Sequence, residues 1–292
     1  MTDDVTLPSS RIGAVVLTWR DRAQTSACVE QLLANDRVTR LVVVDNEADG
    51  TIRAALAPDD RVSFIELTAN TGFAVGVNAG IRELLSTDID LVLVINNDAT
   101  LTPDHLDRLH SALVQDSSLG FVGPRIFTPE GRQFSAGGIL NRFTWSIRQP
   151  RDGEGADFLT WACVLVRRRV FATTGLLDEG FFMYWEDVEF GLRSHEQGVR
   201  FAEVADAHLV HAVSSSHSRA GSRILAYSSQ AFRHFLRLRG GRTRATGYVR
   251  LTAKLASRLI VGDLRGARYV HAGWRIGRDS PDPAYPALNQ LE

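Results

Sequence analysis

Residues 175–190 read GLLDEGFFMYWEDVEF and set three carboxylates, Glu186, Asp187 and Glu189, at the end of a run of bulky aromatics. Aromatic-rich segments go inside a folded protein and carboxylates stay outside. Their juxtaposition points to a carboxylate held at a pocket wall, where its direction and pKa are set, as a general base requires. The same letters fit a helix start, because acids in a first turn complement the dipole and the free N–H groups. Upstream, Asn96-Asn97-Asp98 follows the apolar run LVLVI. A carboxylate there can hold Mg2+ or Mn2+ over a diphosphate, since both ions take oxygen ligands and share them with substrate phosphates. Asn and Asp are equally at home in a turn. Asp45 ends the run LVVV, where it can accept a hydrogen bond from the N–H of a pyrimidine ring or open a turn with Asn46. His211, with His208 and His217 nearby, can add an imidazole ligand to a cation at Asp98 or serve as a hydrogen-bonded structural residue.

Residues 70–81, NTGFAVGVNAGI, space Gly72, Gly76 and Gly80 by four. This is neither the GxGxxG dinucleotide fingerprint nor a Walker A loop. Glycines so spaced line one helix face and permit close packing, and Asn70 and Asn78 supply polar edges near that face.

These residues must be positioned by regular elements. The runs 12–18, 41–44 and 91–95 are apolar throughout, as strands buried on both faces are, and 62–66 is a shorter strand. Helices are expected up to Leu33, over 73–85, and from Pro103, whose fixed φ suits a first turn. Strands alternating with helices imply a parallel sheet, whose ligands gather at the carboxyl ends of the strands. Thr18, Asp45 and Asp98 all fall there. The pattern is less regular over 119–166, where the apolar run 158–166 is expected to be a strand facing the first sheet. A helix over 186–197 closed by Gly198, strands over 200–212 ending at His211, and helices from Ser222 onward complete the expected order.

With 292 residues the chain suits one large domain, alone or with an appendage. The net charge of −1 conceals an asymmetry: residues 1–218 hold 19 Lys+Arg against 30 Asp+Glu, and residues 219–278 hold 14 against one. A basic tail on an acidic body points to an anionic partner. Over 248–261, Arg250, Lys254 and Arg258 recur at four-residue spacing beside Leu251, Leu255 and Leu259. Such a helix can lie on anionic lipid, or its arginines can cover the acidic body or a partner subunit. Cys28 and Cys163 show no metal-ligand spacing and no disulfide framework, so a reducing cytoplasm is expected. The N-terminal sequence MTDDVTLPSS does not resemble a signal peptide, and no window reaches the roughly 18 uninterrupted apolar residues of a membrane span.

Taken in order, the strand ending at Thr18, VVVDN, NTGFAVGVNAGI, VINNDATL, FLTWACVLVRRRVF, GLLDEGFFMYWEDVEF and His211 resemble the inverting glycosyltransferases of family 2 with the GT-A fold, in their rhamnosyltransferase-like branch. The resemblance covers about residues 11–217. It implies an α/β, Rossmann-like, mostly parallel sheet with a C-terminal helical basic appendage. The division expected is 1–218 for the transferase domain (11–100 nucleotide-binding, 101–218 acceptor-side) and 219–292 for the helical region.

The resemblance implies that Asp45 contacts the nucleotide base, that Asp98 is the last acid of the metal motif, and that Asp187 is the catalytic base with Glu186 in support. His211 stands where relatives place a histidine near the metal and diphosphate, and Thr18, Asn70, Gly72, Asn78 and Asn97 fall on the nucleotide-sugar side. Mg2+ or Mn2+, a dTDP- or UDP-linked sugar (L-rhamnose first) and a glycan or lipid-linked sugar acceptor follow from it, with loop 128–157 shaping the acceptor side. Self-association stays open, as does contact of 219–278 with the inner membrane face. Three positions depart from the pattern: Trp19-Arg20 replaces an aromatic-Asn pair, Asn96 replaces an acid, and Glu189 replaces Asp. A sugar nucleotidyltransferase would carry a Gly-rich phosphate loop where this chain reads TWRDRAQ. A silent binding protein on the same fold would not need Glu186, Asp187 and Asp98. A nucleic-acid binder would interleave aromatics with the basic tail, so no nucleic acid is expected.

Overall fold

The computed structural model describes residues 10–47, 50–134, 136–151, 153–212 and 223–279. Its first part alternates β1 (Ile12–Thr18), α1 (Arg22–Leu33), β2 (Val38–Asp45), α2 (Thr51–Ala55), β3 (Val62–Glu66), α3 (Phe73–Leu85) and β4 (Leu91–Asn96). The chain continues through β5 (Ala99–Thr100), α4 (Pro103–Gln115), β6 (Leu119–Phe127), β7 (Gln133–Phe134), β8 (Gly137–Leu140), β9 (Ile147–Arg148) and β10 (Phe158–Leu159). Then come β11 (Cys163–Arg167), α5 (Arg168–Thr174), α6 (Glu186–Glu196) and β12 (Arg200–His211), followed by α7 (Arg223–Arg239), α8 (Gly241–Ile260) and α9 (Leu264–Asp279). The main sheet runs β3-β2-β1-β4-β11-β6-β12-β5, with β7 beside β6; β10-β8-β9 form a small second sheet.

Alternate residues of the central strands feed two apolar layers. Ile12, Ala14 and Val16 pack with Val29 and Leu32 of α1 and Leu106, Leu109 and Leu113 of α4. Val15, Val42 and Val44 pack with Val77, Ile81 and Leu84 of α3 on the other face. Two of the three spaced glycines, Gly76 and Gly80, act here as expected, while Gly72 lies before α3. A Cβ at Gly76 would lie 2.5 Å from Leu17 Cδ1, and one at Gly80 would lie 2.5 Å from Val15 Cγ1. α3 therefore sits against β1 at a distance that larger side chains would not allow.

The run 158–166 does not form one strand facing this sheet. It breaks after Leu159, and β11 enters the sheet itself, antiparallel between β4 and β6, with Cys163 opposite Ile95 and Leu165 opposite Val122. Cys163 and Leu165 join one apolar layer, Val164 and Val166 the other. An unbroken apolar run is what burial on both faces requires, and β11 satisfies the hydrogen-bonding edge of β4 that would otherwise be buried and unpaired.

The C-terminal helices pack onto the body. Phe232, Phe235 and Leu236 of α7 share an apolar cluster with Phe181 and Trp185. α9 crosses α7 closely, and a Cβ at Gly273 would run into the Ala226 carbonyl oxygen. The expected boundary at 218/219 and His217 lie outside the described residues. On α8 the stripe Arg250, Lys254 and Arg258 is half-buried against the body and does not form the outward face. Two aromatic rings draw it in: the Arg250 guanidinium carbon lies 5.2 Å from the Trp185 ring centroid and 5.3 Å from that of Phe232.

Candidate active site

Parallel register brings the strand ends together. Thr18 lies opposite Asp45, and Leu17 lies opposite Asn96. Thr18 Oγ1 is 2.7 Å from Thr25 Oγ1, and Asn97 Nδ2 donates to the same Thr25 hydroxyl at 2.9 Å. Asp45 is 3% exposed. Its Oδ1 accepts from the Glu47 N–H at 3.0 Å, while Oδ2 is buried without a hydrogen-bond partner. A buried acceptor left unpaired costs free energy, and an N–H of a bound base would satisfy it. Where an aromatic-Asn pair was expected, Arg20 Nε lies 2.5 Å from Glu47 Oε1, so the departure ties the turn after β1 to the turn after β2.

Asn46 holds the next loop. Its Nδ2 donates to Asn70 Oδ1 at 3.0 Å and to the Gly72 carbonyl at 3.2 Å, and its Oδ1 accepts from Thr71 N at 2.9 Å. Asn70 Oδ1 also accepts from Gly72 N at 3.0 Å. Gly72 has φ +87° and stands where a Cβ would run into the Phe182 carbonyl oxygen; Phe73 N donates to that same carbonyl at 2.7 Å. Asn78 is fully buried, donates to the Leu177 carbonyl at 2.8 Å and Glu179 Oε1 at 3.0 Å, and accepts from Leu177 N at 3.2 Å. The loop after β3 is thus fastened to the segment that enters α6.

That segment ends in an unusual backbone. Tyr184 (φ 72°) and Trp185 (φ 69°) occupy the left-handed region, at a cost of about 1–3 kcal/mol each. Packing holds them there: the Trp185 ring lies 4.6 Å from Phe232 and 4.9 Å from Phe235, centroid to centroid. Of the four aromatics that precede the acids, Phe181, Phe182 and Trp185 are core residues and Tyr184 is half-buried. Glu186 and Asp187 then open α6. Glu186 is 7% exposed and its Oε2 has no hydrogen-bond partner. Burial, and after it the charge of Asp187, pushes Glu186 well above the usual carboxylate range. Burial also pushes Asp187 up to about 6, against the Val188 N–H, which donates to Oδ1 at 2.7 Å. Glu189 is not available for chemistry: Arg193 clasps it, with Nη2 to Oε2 at 2.7 Å, and reaches on to the Leu176 carbonyl at 2.9 Å.

Asp98 and His211 meet across the β5–β12 pairing, in which His211 lies opposite Ala99. Asp98 Oδ1 is 2.9 Å from His211 Nε2, the two side chains being 10% and 12% exposed. Asn96 Nδ2 is 3.4 Å from the same nitrogen, and His211 Nδ1 is buried without a partner. Among the described residues no group of three or more His, Cys, Asp or Glu forms a complete cage. One carboxylate and one imidazole do fit Mg2+ or Mn2+ where substrate phosphates supply further oxygens, and the buried Nδ1 of His211 is left without a partner beside them.

Three positioning residues were not singled out from the sequence. Asn46 read only as a turn partner of Asp45, although an amide at a buried strand end was its signal. Thr25, the hub between Thr18 and Asn97, carried none. Asp178 anchors the segment before the acids by meeting His234 Nε2 of α7 at 2.8 Å. The thiols of Cys28 and Cys163 are buried and unpaired with one another, and burial pushes Cys28 up to about 12.

The sequence profile described as "Glycosyltransferase like family 2" matches residues 8–235. The chain is 30% identical over 209 residues to an N-acetylglucosaminyl-diphospho-decaprenol L-rhamnosyltransferase of Mycobacterium tuberculosis, a match covering 61% of this chain and 68% of that one. It is 27% identical over 186 residues to a low-salt glycan biosynthesis hexosyltransferase of Haloferax volcanii, covering 60% of this chain and only 59% of that relative. Among solved structures, a mannosyltransferase from Pyrobaculum calidifontis in complex with GDP-Man and Mn2+ superposes with a TM-score of 0.58 at 16% identity, over 97% of this chain and 84% of that one. That likeness shows the GT-A fold.

Proposed function

The chain belongs to glycosyltransferase family 2, and we propose that it moves a sugar from a nucleoside-diphosphate donor to an acceptor hydroxyl in one inverting displacement. The observation that carries this reading is the acid pair opening α6, a buried Glu186 beside a half-buried Asp187 whose carboxyl is pushed up to about 6. A base works best with a pKa near the working pH, and burial moves the Asp187 carboxyl toward it. Asp187 takes the acceptor proton while the hydroxyl oxygen bonds to the anomeric carbon and the bond to the diphosphate breaks on the opposite face. Glu186, its carboxyl raised by burial and by the charge of Asp187, supports the base from the first turn of α6. Asp45 receives the N–H of the base through its open Oδ2. Asp98 and His211 are the pair that would hold Mg2+ or Mn2+, which when bound neutralises charge on the departing diphosphate. L-rhamnose is the first donor sugar to test, supported by the name of the mycobacterial relative.

A panel of dTDP-, UDP- and GDP-sugars, each with and without Mn2+, tests the reading by thermal shift, since a ligand of the native state raises its stability by mass action. One nucleotide shifting the transition only with Mn2+ is the expected result. No shift with any of them removes the donor site.

We further infer that the protein is peripheral to an anionic membrane, through a surface other than the expected stripe. No helix among the described residues is long and apolar enough to cross a membrane. The end of α8 and start of α9 expose Leu259 (55%), Ile260 (84%), Val261 (71%) and Leu264 (60%), and Arg265, Arg268 and Arg275 follow on the outward face of α9. Apolar residues beside cations suit an interface of that kind. Cosedimentation with phosphatidylglycerol vesicles, lost in Ile260→Asp, is the expected outcome; equal sedimentation of both forms would refute it.

A further inference from the structure

α8 is built with its charges inward. Val249, Thr252, Ala253, Ala256, Ser257 and Ile260 form an exposed face without charge, while Arg250, Lys254 and Arg258 lie on the half-buried face. A surface helix normally does the reverse. Among the described residues Arg258 alone of the three cations meets a carboxylate, Asp263 Oδ2 at 3.3 Å, and its Nε is buried without a partner. Lys254 Nζ donates to Ser228 Oγ at 3.4 Å, and Arg250 Nη1 donates to the Trp145 carbonyl. Among the described residues no carboxylate pairs with Arg250 or Lys254. Burial first, then the neighbouring Arg250 and Arg258, pulls the Lys254 ammonium down to about 8. Like charges gathered away from water with a single acid among them are unfavourable, and phosphate oxygens would relieve them through charge-assisted hydrogen bonds.

We propose that Arg250, Lys254, Arg258 and Ser228 form a subsite for the diphosphate of a lipid-linked acceptor. The two ends of the stripe argue for that ligand. At one end Arg250 stacks on Trp185, the residue immediately before Glu186 and Asp187. At the other end lies the exposed apolar tip at 259–264. Ten residues of helix separate Arg250 from Ile260, roughly 15 Å at the α-helical rise. An acceptor with its sugar at the acids, its phosphates along the stripe and its lipid at the tip matches that order of chemistry. The identity of the ligand rests on the transferase reading; the anion site itself does not.

The test is a calorimetric titration of inorganic pyrophosphate into the full chain in metal-free buffer, for the native protein and Lys254→Met. Melting temperatures without ligand and binding of dTDP with Mn2+ are recorded for both. The native protein is expected to bind pyrophosphate and the variant to bind it at least about tenfold more weakly, the loss of one charged hydrogen-bond donor. The variant is expected to melt no lower than the native protein, because the charge it removes has no carboxylate partner, and to bind dTDP equally. Pyrophosphate binding that is equal in both, or absent from both, overturns the subsite, as does a lower melting temperature of the variant, which would make Lys254 a structural residue. Lys254-dependent binding to phosphatidylglycerol vesicles without pyrophosphate binding overturns the diphosphate assignment in favour of a phospholipid headgroup. A panel of dTDP, UDP and GDP with Mn2+ that binds neither protein, with Lys254-dependent pyrophosphate binding intact, removes the transferase reading and leaves the anion site standing.

Discussion

Asp187→Asn is expected to make the protein more stable at neutral pH while removing its base. The carboxyl of Asp187 rises from an ordinary 3.8 to about 6 through burial. In the unfolded chain it ionises near pH 4. Between those values the folded protein keeps a proton that the unfolded chain has released, so stability falls as pH rises from about 4 to about 6. A rise of that size, at 1.36 kcal/mol per pKa unit, corresponds to about 3 kcal/mol withdrawn from folding at pH 7. Asn keeps the side-chain oxygen that accepts from Val188 N–H at 2.7 Å and carries no charge. Urea unfolding followed by tryptophan fluorescence, from pH 4 to pH 8, reads the difference. The variant should exceed the native protein by about 3 kcal/mol at pH 7, and the excess should shrink to nothing toward pH 4. A variant no more stable at pH 7, or an excess independent of pH, would refute the claim that burial raises this carboxyl. A catalytic group kept at a cost in stability is a common trade in active sites.

Gly72→Ala should destabilise the fold by about 2 kcal/mol or more, because its Cβ meets a backbone carbonyl and its φ is positive; it should also displace the segment entering α6, so urea midpoint and turnover fall together, and an unchanged midpoint would contradict the close approach. Asp98→Ala should weaken Mn2+-dependent nucleotide binding by at least about tenfold and leave metal-free binding as it was; an unchanged Mn2+ titration would take Asp98 out of the cation site.

Much of the frame is legible in the sequence for a simple reason. The runs ending at Thr18, Asp45 and Asn96 are apolar throughout, and parallel strands deliver their ends to one edge, so polar residues at those ends are neighbours before any coordinate is known. The glycines at 76 and 80 carry their packing meaning in their spacing, whereas Gly72 lies before α3 and answers to its positive φ and the Phe182 carbonyl. The direction of β11 is not legible, because a run buried on both faces looks the same whether it joins a sheet or faces one. The grip of Asn46 on residues 70–72 depends on a loop folding back across 24 residues or more, and the dipeptide Asp45-Asn46 describes only a turn. The letters around 184 and 185 give no sign of positive φ; packing against α7 imposes it. How far burial raises the Asp187 carboxyl is set by the packed fold and not by the letters around it. The stripe on α8 allows either lipid or the body as its partner, and the letters do not choose between them. Periodicity assigns faces by polarity, but the rings of Trp185 and Phe232 take the Arg250 guanidinium inward.

The most direct measurement is a transfer assay with dTDP-L-rhamnose, Mn2+ and a sugar-diphospho-lipid acceptor, run on the native protein and Asp187→Asn beside a donor-binding titration of each. Transfer by the native protein, a loss of at least roughly 100-fold in the variant and equal donor dissociation constants are the expected results. A variant that still transfers near the native rate, or that loses donor binding along with transfer, would contradict Asp187 as the base of a nucleotide-sugar transferase.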